Sequence, residues 1–132
     1  MIRFARRTFF ALLALICLLA APPASTPARA DNLDLLLVLA ADGSGSIDED
    51  EFKLQREGYA AAISDPRVVQ AIQSGYGGAI AVALIEWGAP TSQHIIVEWT
   101  VIRDQASADG FAAAILAAPR KAFGYNSISN AI

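Results

Sequence analysis

The chain has 132 residues, 55% of them hydrophobic and 17% charged, with a formal net charge of −3. That length allows one domain at most. An apolar fraction above the usual range and a charged fraction below it exclude a disordered tail or a nucleic-acid-binding arm. The charge is unevenly spread. Residues 1–30 hold four of the ten basic side chains (Arg3, Arg6, Arg7, Arg29), none of the thirteen acidic ones, and the single cysteine, Cys17. The remaining 102 residues carry six basic and thirteen acidic groups, a net of −7. That balance disfavours nucleic acid and anionic membrane as partners.

Arg3, Arg6 and Arg7 precede an apolar run, Phe9–Ala21, followed by a Pro-rich stretch ending in Ala28-Arg29-Ala30. This is the charge, core and small-x-small order of a cleaved export signal. The run is short for a permanent membrane span, so no stable span is expected after cleavage. Arg6-Arg7-Thr8-Phe9-Phe10 also resembles a twin-arginine signal. Export would place the mature protein in the periplasm or outside the cell. Without a cysteine there, its fold must rest on its core or on a metal.

Leu33–Ala41 is a near-continuous apolar run stopped by Asp42-Gly43, which suits a strand buried on both faces of a parallel sheet. Asp48 with Glu51 reads as a capping box, opening a helix whose Phe52, Tyr59, Ala60 and Ile63 share one face. Asp65-Pro66 starts a second short helix, ended by Gly75, Gly77 and Gly78. Ala79–Trp87 is a second strand, apolar on both faces. His94–Val101 is a third, with Ile95, Val97, Trp99 and Val101 on one face and Ile96, Glu98 and Thr100 on the other. Its partly polar face places it nearer a sheet edge. Ser107–Ala118 is a helix with Phe111, Ile115 and Leu116 inward, and residues 123–128 turn into the start of another. The order strand, helices, strand, strand, helix indicates a layered α/β fold. It also looks incomplete, because three strands do not finish a doubly wound sheet.

Asp42-Gly43-Ser44-Gly45-Ser46 lies between the first strand and the first helix. One carboxylate and two hydroxyls at alternate positions of a tight loop can converge on one point, and hard divalent cations take such oxygen ligands. Open α/β sheets bind ligands beyond the carboxyl ends of their strands, where this loop sits. Asp-x-Ser-x-Ser after an apolar strand resembles the metal-ion-dependent adhesion motif of von Willebrand factor type A domains. The wider wording is similar to an uncharacterised family of exported bacterial proteins with that fold. It comprises DLLLVLAADGSGSIDEDEFKLQREGYAAAI, IAVALIEW, HIIVEWTVI and AFGYNSISNAI, and the likeness covers essentially all of residues 33–132.

The resemblance implies a Rossmann-like, mostly parallel sheet with helices on both faces, present here as about its first half. It implies Asp42, Ser44 and Ser46 as first-loop ligands of Mg2+, or of Mn2+ or Ca2+, with Asp42 acting directly or through water. Where the second loop of such domains supplies Thr, this chain has Asn126, with Ser127 beside it as a substitute. The Asp of the third loop would lie beyond Ile132, so the site is expected to be incomplete. The implied activity is non-catalytic, metal-bridged binding of a protein or ligand that offers a carboxylate.

Two other function classes compete. Residues 42–51 match positions 3 to 12 of an EF-hand calcium loop, with Gly45, Ile47 and Glu51 at the glycine, apolar and bidentate positions. Ala40 stands where the first ligand should be, and LDLLLVLA is too uniformly apolar for an exposed entering helix. A serine hydrolase would need Ser44 or Ser46 with His94, the only histidine, yet the spacing of a nucleophile elbow is absent. Trp87 and Trp99 read as core packing, and residues 48–51 as a helix cap. Glu86, late in an otherwise apolar strand, either reaches solvent at the strand end or approaches the metal loop.

Overall fold

The computed structural model describes residues 32–131; the predicted export signal lies outside them. A three-stranded sheet is ordered β1 (Leu35–Asp42), β2 (Ile80–Trp87), β3 (Gln93–Ile102). β1 and β2 run parallel in the register Leu35↔Ile80 to Asp42↔Trp87. A parallel pair needs a long crossover, supplied by helices α1 (Glu49–Ser64) and α2 (Pro66–Gln73). β2 turns directly into β3, with Ser92 N–H donating to Ala89 O at 2.8 Å and Gly88 N–H to Ser92 O at 2.9 Å. So short a link permits only an antiparallel pair. Helix α3 (Gln105–Ala117) follows, then a 3-10 turn (Ile128–Asn130) at the point where the sequence suggests the start of another helix.

The helix starts follow their cap chemistry. Asp48 accepts from Glu51 N–H at 2.8 Å while Glu51 accepts from Asp48 N–H at 3.0 Å, the reciprocal box expected from the sequence. Asp65 caps α2 by accepting from Arg67 N–H, with Pro66 in the first turn. Asp104 and Ser107 form a second box at α3. The helix therefore begins at Gln105, two residues before the predicted start.

One core joins all three helices to one face of the sheet. Leu37, Leu39 and Ala41 of β1 and Val82 and Leu84 of β2 meet Ala60 and Ile63 of α1, Val69 and Ile72 of α2, and Ala108, Phe111, Ala112 and Ile115 of α3. Three expectations are corrected here. The sheet is mixed rather than mostly parallel, because the β2–β3 link is a hairpin. Among the described residues the helices join a core on one face rather than covering both, and Leu36 and Val38 of β1 are exposed, Leu36 by 66%. Among the described residues β1 has one neighbour, so only the central strand, β2, is buried on both faces.

The third correction concerns single side chains. Leu116 is 56% exposed, because the core stripe of α3 runs 108, 111, 112, 115 and the next position rotates away. In β3 the strict alternation fails. The pairing with β2 shifts register twice between Val82 and Ile85, and such irregularities re-aim side chains. Val97 is buried and Ile96 packs on the core, while Ile95 is exposed and Trp99 is 52% exposed.

Acid sensitivity is expected at the caps. The Arg67 side chain hydrogen-bonded to Asp65 lowers its carboxyl from 3.8 to about 2. The side chain of Asp104 is held down in the same direction by the Ser107 N–H. A carboxyl depressed in the folded state contributes stability above about pH 4 and loses it as pH falls through its folded value. Thermal melts should therefore drop between about pH 4 and 2. Asp65→Asn, which keeps an acceptor at the cap, should flatten that drop; an unchanged slope would show that Asp65 contributes nothing to it.

Candidate functional site

The site forms where β1 ends. Asp42 is the last residue of the strand, and its Oδ1 accepts from Ser44 N–H at 2.8 Å, closing the loop on itself. Ile47 N–H returns to Ser44 O at 3.1 Å, and Gly43 N–H ties the loop to Trp87 O of β2 at 2.9 Å. The Ser44 and Ser46 hydroxyl oxygens lie 3.3 Å apart. Ser44 is buried and Ser46 exposed.

A segment distant in sequence completes the site. After α3 the chain returns past the loop, and Gly45 N–H donates to Gly124 O at 2.8 Å. Asn126 Nδ2 donates to Asp42 Oδ2 at 2.9 Å across 84 positions of sequence. Gly124 takes a positive φ of 81° to make this return, a backbone conformation that side chains disfavour. Between the two segments lies a cavity of about 550 Å3 lined by Ser44, Gly45, Ser46, Gly124, Tyr125 and Asn126. The structure thus gathers Asp42, Ser44, Ser46 and Asn126. Ser127 is placed differently: it precedes the 3-10 turn, and its hydroxyl accepts from Asn130 Nδ2 at 2.8 Å.

Beneath the loop is a buried ion pair. Glu86 is fully buried and pairs with Arg56 of α1, itself 4% exposed. The other carboxylate oxygen, Oε2, accepts from Lys121 N–H at 2.8 Å and Ala122 N–H at 3.0 Å. Of the two alternatives left open for Glu86, the strand therefore directs it inward, toward the loops. Close packing accompanies this: a Cβ on Gly43 would stand 2.8 Å from that of Ala122 and 3.6 Å from the Glu86 side chain. Ser92, also fully buried, accepts from Phe123 N–H at 3.0 Å and shares a 3.3 Å contact with His94 Nε2. The only histidine therefore has Ser92 as its serine partner, rather than either loop serine.

The sequence did not single out Arg120 or Tyr125, and it flagged Glu86 only as an odd charge. Arg120 Nη2 donates to Gly43 O at 3.0 Å, Ser44 O at 2.7 Å and Ile47 O at 2.9 Å. Arg120 stands in Pro119-Arg120-Lys121, past the end of α3, where no periodic pattern marks it.

Comparison with known proteins places the chain. It belongs to the family described as protein of unknown function (DUF1194), whose model matches residues 32–132. No curated protein matches. Among solved structures, the chain is similar to the three N-terminal domains of the type V pili tip protein Mfa5 from Porphyromonas gingivalis. The identity is 18% and the TM-score 0.36, over 70% of this chain and 14% of that one. Among the described residues of this DUF1194 member, no helix is long and apolar enough to cross a membrane. No group of three His, Cys, Asp or Glu among them is placed to hold a metal. The loop itself offers one carboxylate and two hydroxyls, and the return segment adds the Asn126 amide.

The buried pair yields a stability prediction. Glu86→Gln should leave the Arg56 charge uncompensated and lower unfolding free energy by about 3–5 kcal/mol in urea titrations. Joining it to Arg56→Met should recover part of that loss. A single variant as stable as the parent would show that the pair does not hold the fold.

Proposed function

We propose that this protein is an exported, non-catalytic binding module of von Willebrand factor A-like type. In this reading a divalent cation, Mg2+ or Mn2+ foremost, is held by Asp42, Ser44, Ser46 and Asn126. The observation that carries the proposal is the meeting of Asn126 with Asp42 at 2.9 Å beside the two loop hydroxyls. The return segment that carries Asn126 is held against this loop by the Gly45 N–H to Gly124 O bond and by its anchors at Glu86 and Ser92.

The donor set suits a hard cation, being all oxygen once the Asn126 amide presents its carbonyl. The 3.3 Å between the Ser44 and Ser46 oxygens also fits. Neighbouring ligands of an octahedral ion at about 2.1 to 2.4 Å are separated by about 3.0 to 3.4 Å. Bound there, the cation would supply a Lewis-acidic point of attachment. With one carboxylate among its ligands it would keep much of its charge, which a carboxylate from a partner protein or ligand would neutralise. The cavity at the loop gives that group room to enter.

The EF-hand alternative has less support, because Leu35–Asp42 is a strand and no helix enters the 42–51 loop. Glu51, its bidentate acid, is engaged in capping α1.

Calorimetric titration of the full chain with Mn2+ and Mg2+ should show one saturable site. Asp42→Ala should abolish it, and Ser44→Ala or Ser46→Ala should weaken it by about tenfold or more, which is 1.4 kcal/mol. Absence of binding, or binding indifferent to Asp42→Ala, would overturn the proposal.

A further inference from the structure

We infer that Arg120 is the positioning residue of the Asp42–Ser46 loop, and that Glu86 places it there. Both peptide planes flanking Ser44 end on Arg120. In the first, Gly43 O accepts from Arg120 Nη2 while the Ser44 N–H on the same plane donates to Asp42 Oδ1. In the second, Ser44 O accepts from Nη2 while the Gly45 N–H donates to Gly124 O. Each plane is therefore pinned at both ends. With the two planes fixed, the backbone torsions of Ser44 are fixed, and so is the direction in which its side chain leaves the chain. A third carbonyl, that of Ile47, closes the far side of the loop on the same nitrogen.

One Nη carries two hydrogens, so three carbonyls at 2.7–3.0 Å share them. Such charge-assisted bonds are stronger than neutral ones. Arg120 is itself held from behind. The next two backbone N–H groups, of Lys121 and Ala122, both donate to the buried Glu86 carboxylate. Glu86 is in turn fixed by Arg56. The Phe52 ring lies 5.0 Å from the Arg56 guanidinium carbon and 5.3 Å from that of Arg120, within cation–π range of both. The route runs from a buried carboxylate through two main-chain amides to one guanidinium, and from there to the loop that displays the hydroxyls.

The rival role is plain stabilisation of the fold, and two readouts separate them. In the full chain without metal, Arg120→Met should accelerate hydrogen exchange of the Ser44, Gly45 and Ile47 amides by about tenfold or more while β2 amides stay unchanged. Arg120→Lys, with three hydrogens on one nitrogen, should restore part of that protection. The metal arm rests on the proposed cation site: Mn2+ affinity should fall about tenfold in Arg120→Met and less in Arg120→Lys. Exchange rising equally in the loop, β2 and α3, or unchanged in the loop, would overturn the assignment. If the parent chain binds no Mn2+, the cation reading fails and the exchange measurement still decides Arg120.

Discussion

A carboxylate sealed inside a small protein has to be answered by positive charge and hydrogen-bond donors, or the burial is prohibitive. Glu86 is that group. It sits next to last on the central strand, beneath the C-terminal end of the sheet, and everything at that end is arranged around it. Arg56 must lie within α1 at a position that reaches the strand, and Phe52 one turn earlier packs its ring against that guanidinium. The chain after α3 must pass close enough to offer the N–H groups of residues 121 and 122. None of these elements is a sequence neighbour of Glu86. The demand of one charge thus brings together a helix, a strand and the segment leaving α3.

The functional consequence is indirect. Asp42, Ser44 and Ser46 belong to one loop, but Asn126 reaches them only because the returning segment is anchored at Glu86 and again at Ser92. Arg120, carried on that segment, then fixes the loop through its carbonyls. Site and scaffold are therefore one hydrogen-bonded system rather than a loop placed on a finished fold. A packing contact supports the same arrangement, since Gly43 leaves no space for a side chain against Ala122. Rigid first and second layers of this kind are what a metal or ligand site requires of its surroundings.

Local chemistry was the most legible part of the sequence. The Asp48–Glu51 capping box, the Asp65-Pro66 helix start, and the apolar strand running into Asp-x-Ser-x-Ser each depend on residues a few positions apart, and each is present. What depended on pairing between strands was less so. The register shifts opposite Val82–Ile85 leave no mark in HIIVEWTV, so the alternation predicts Trp99 in the core whereas it stands about half exposed. A sequence reports that a strand face is apolar, as with Leu36 and Val38, but not whether anything covers it. Leu116 shows the same limit on a helix, where the neighbouring Ile115 occupies the inward position. Arg120 is invisible in the sequence for a different reason: the carbonyls it binds lie more than 70 residues away, and the Glu86 that positions it meets its own partners only in the folded chain.

The measurement that bears most directly on the coupled loop and return segment is Mn2+-induced broadening of backbone amide NMR signals in the full chain. Substoichiometric Mn2+ should broaden Gly43–Ser46 and Gly124–Asn126 together and most steeply if, as proposed, the two segments face one ion. Broadening centred on Glu49–Glu51, with residues 124–126 unaffected, would contradict that arrangement.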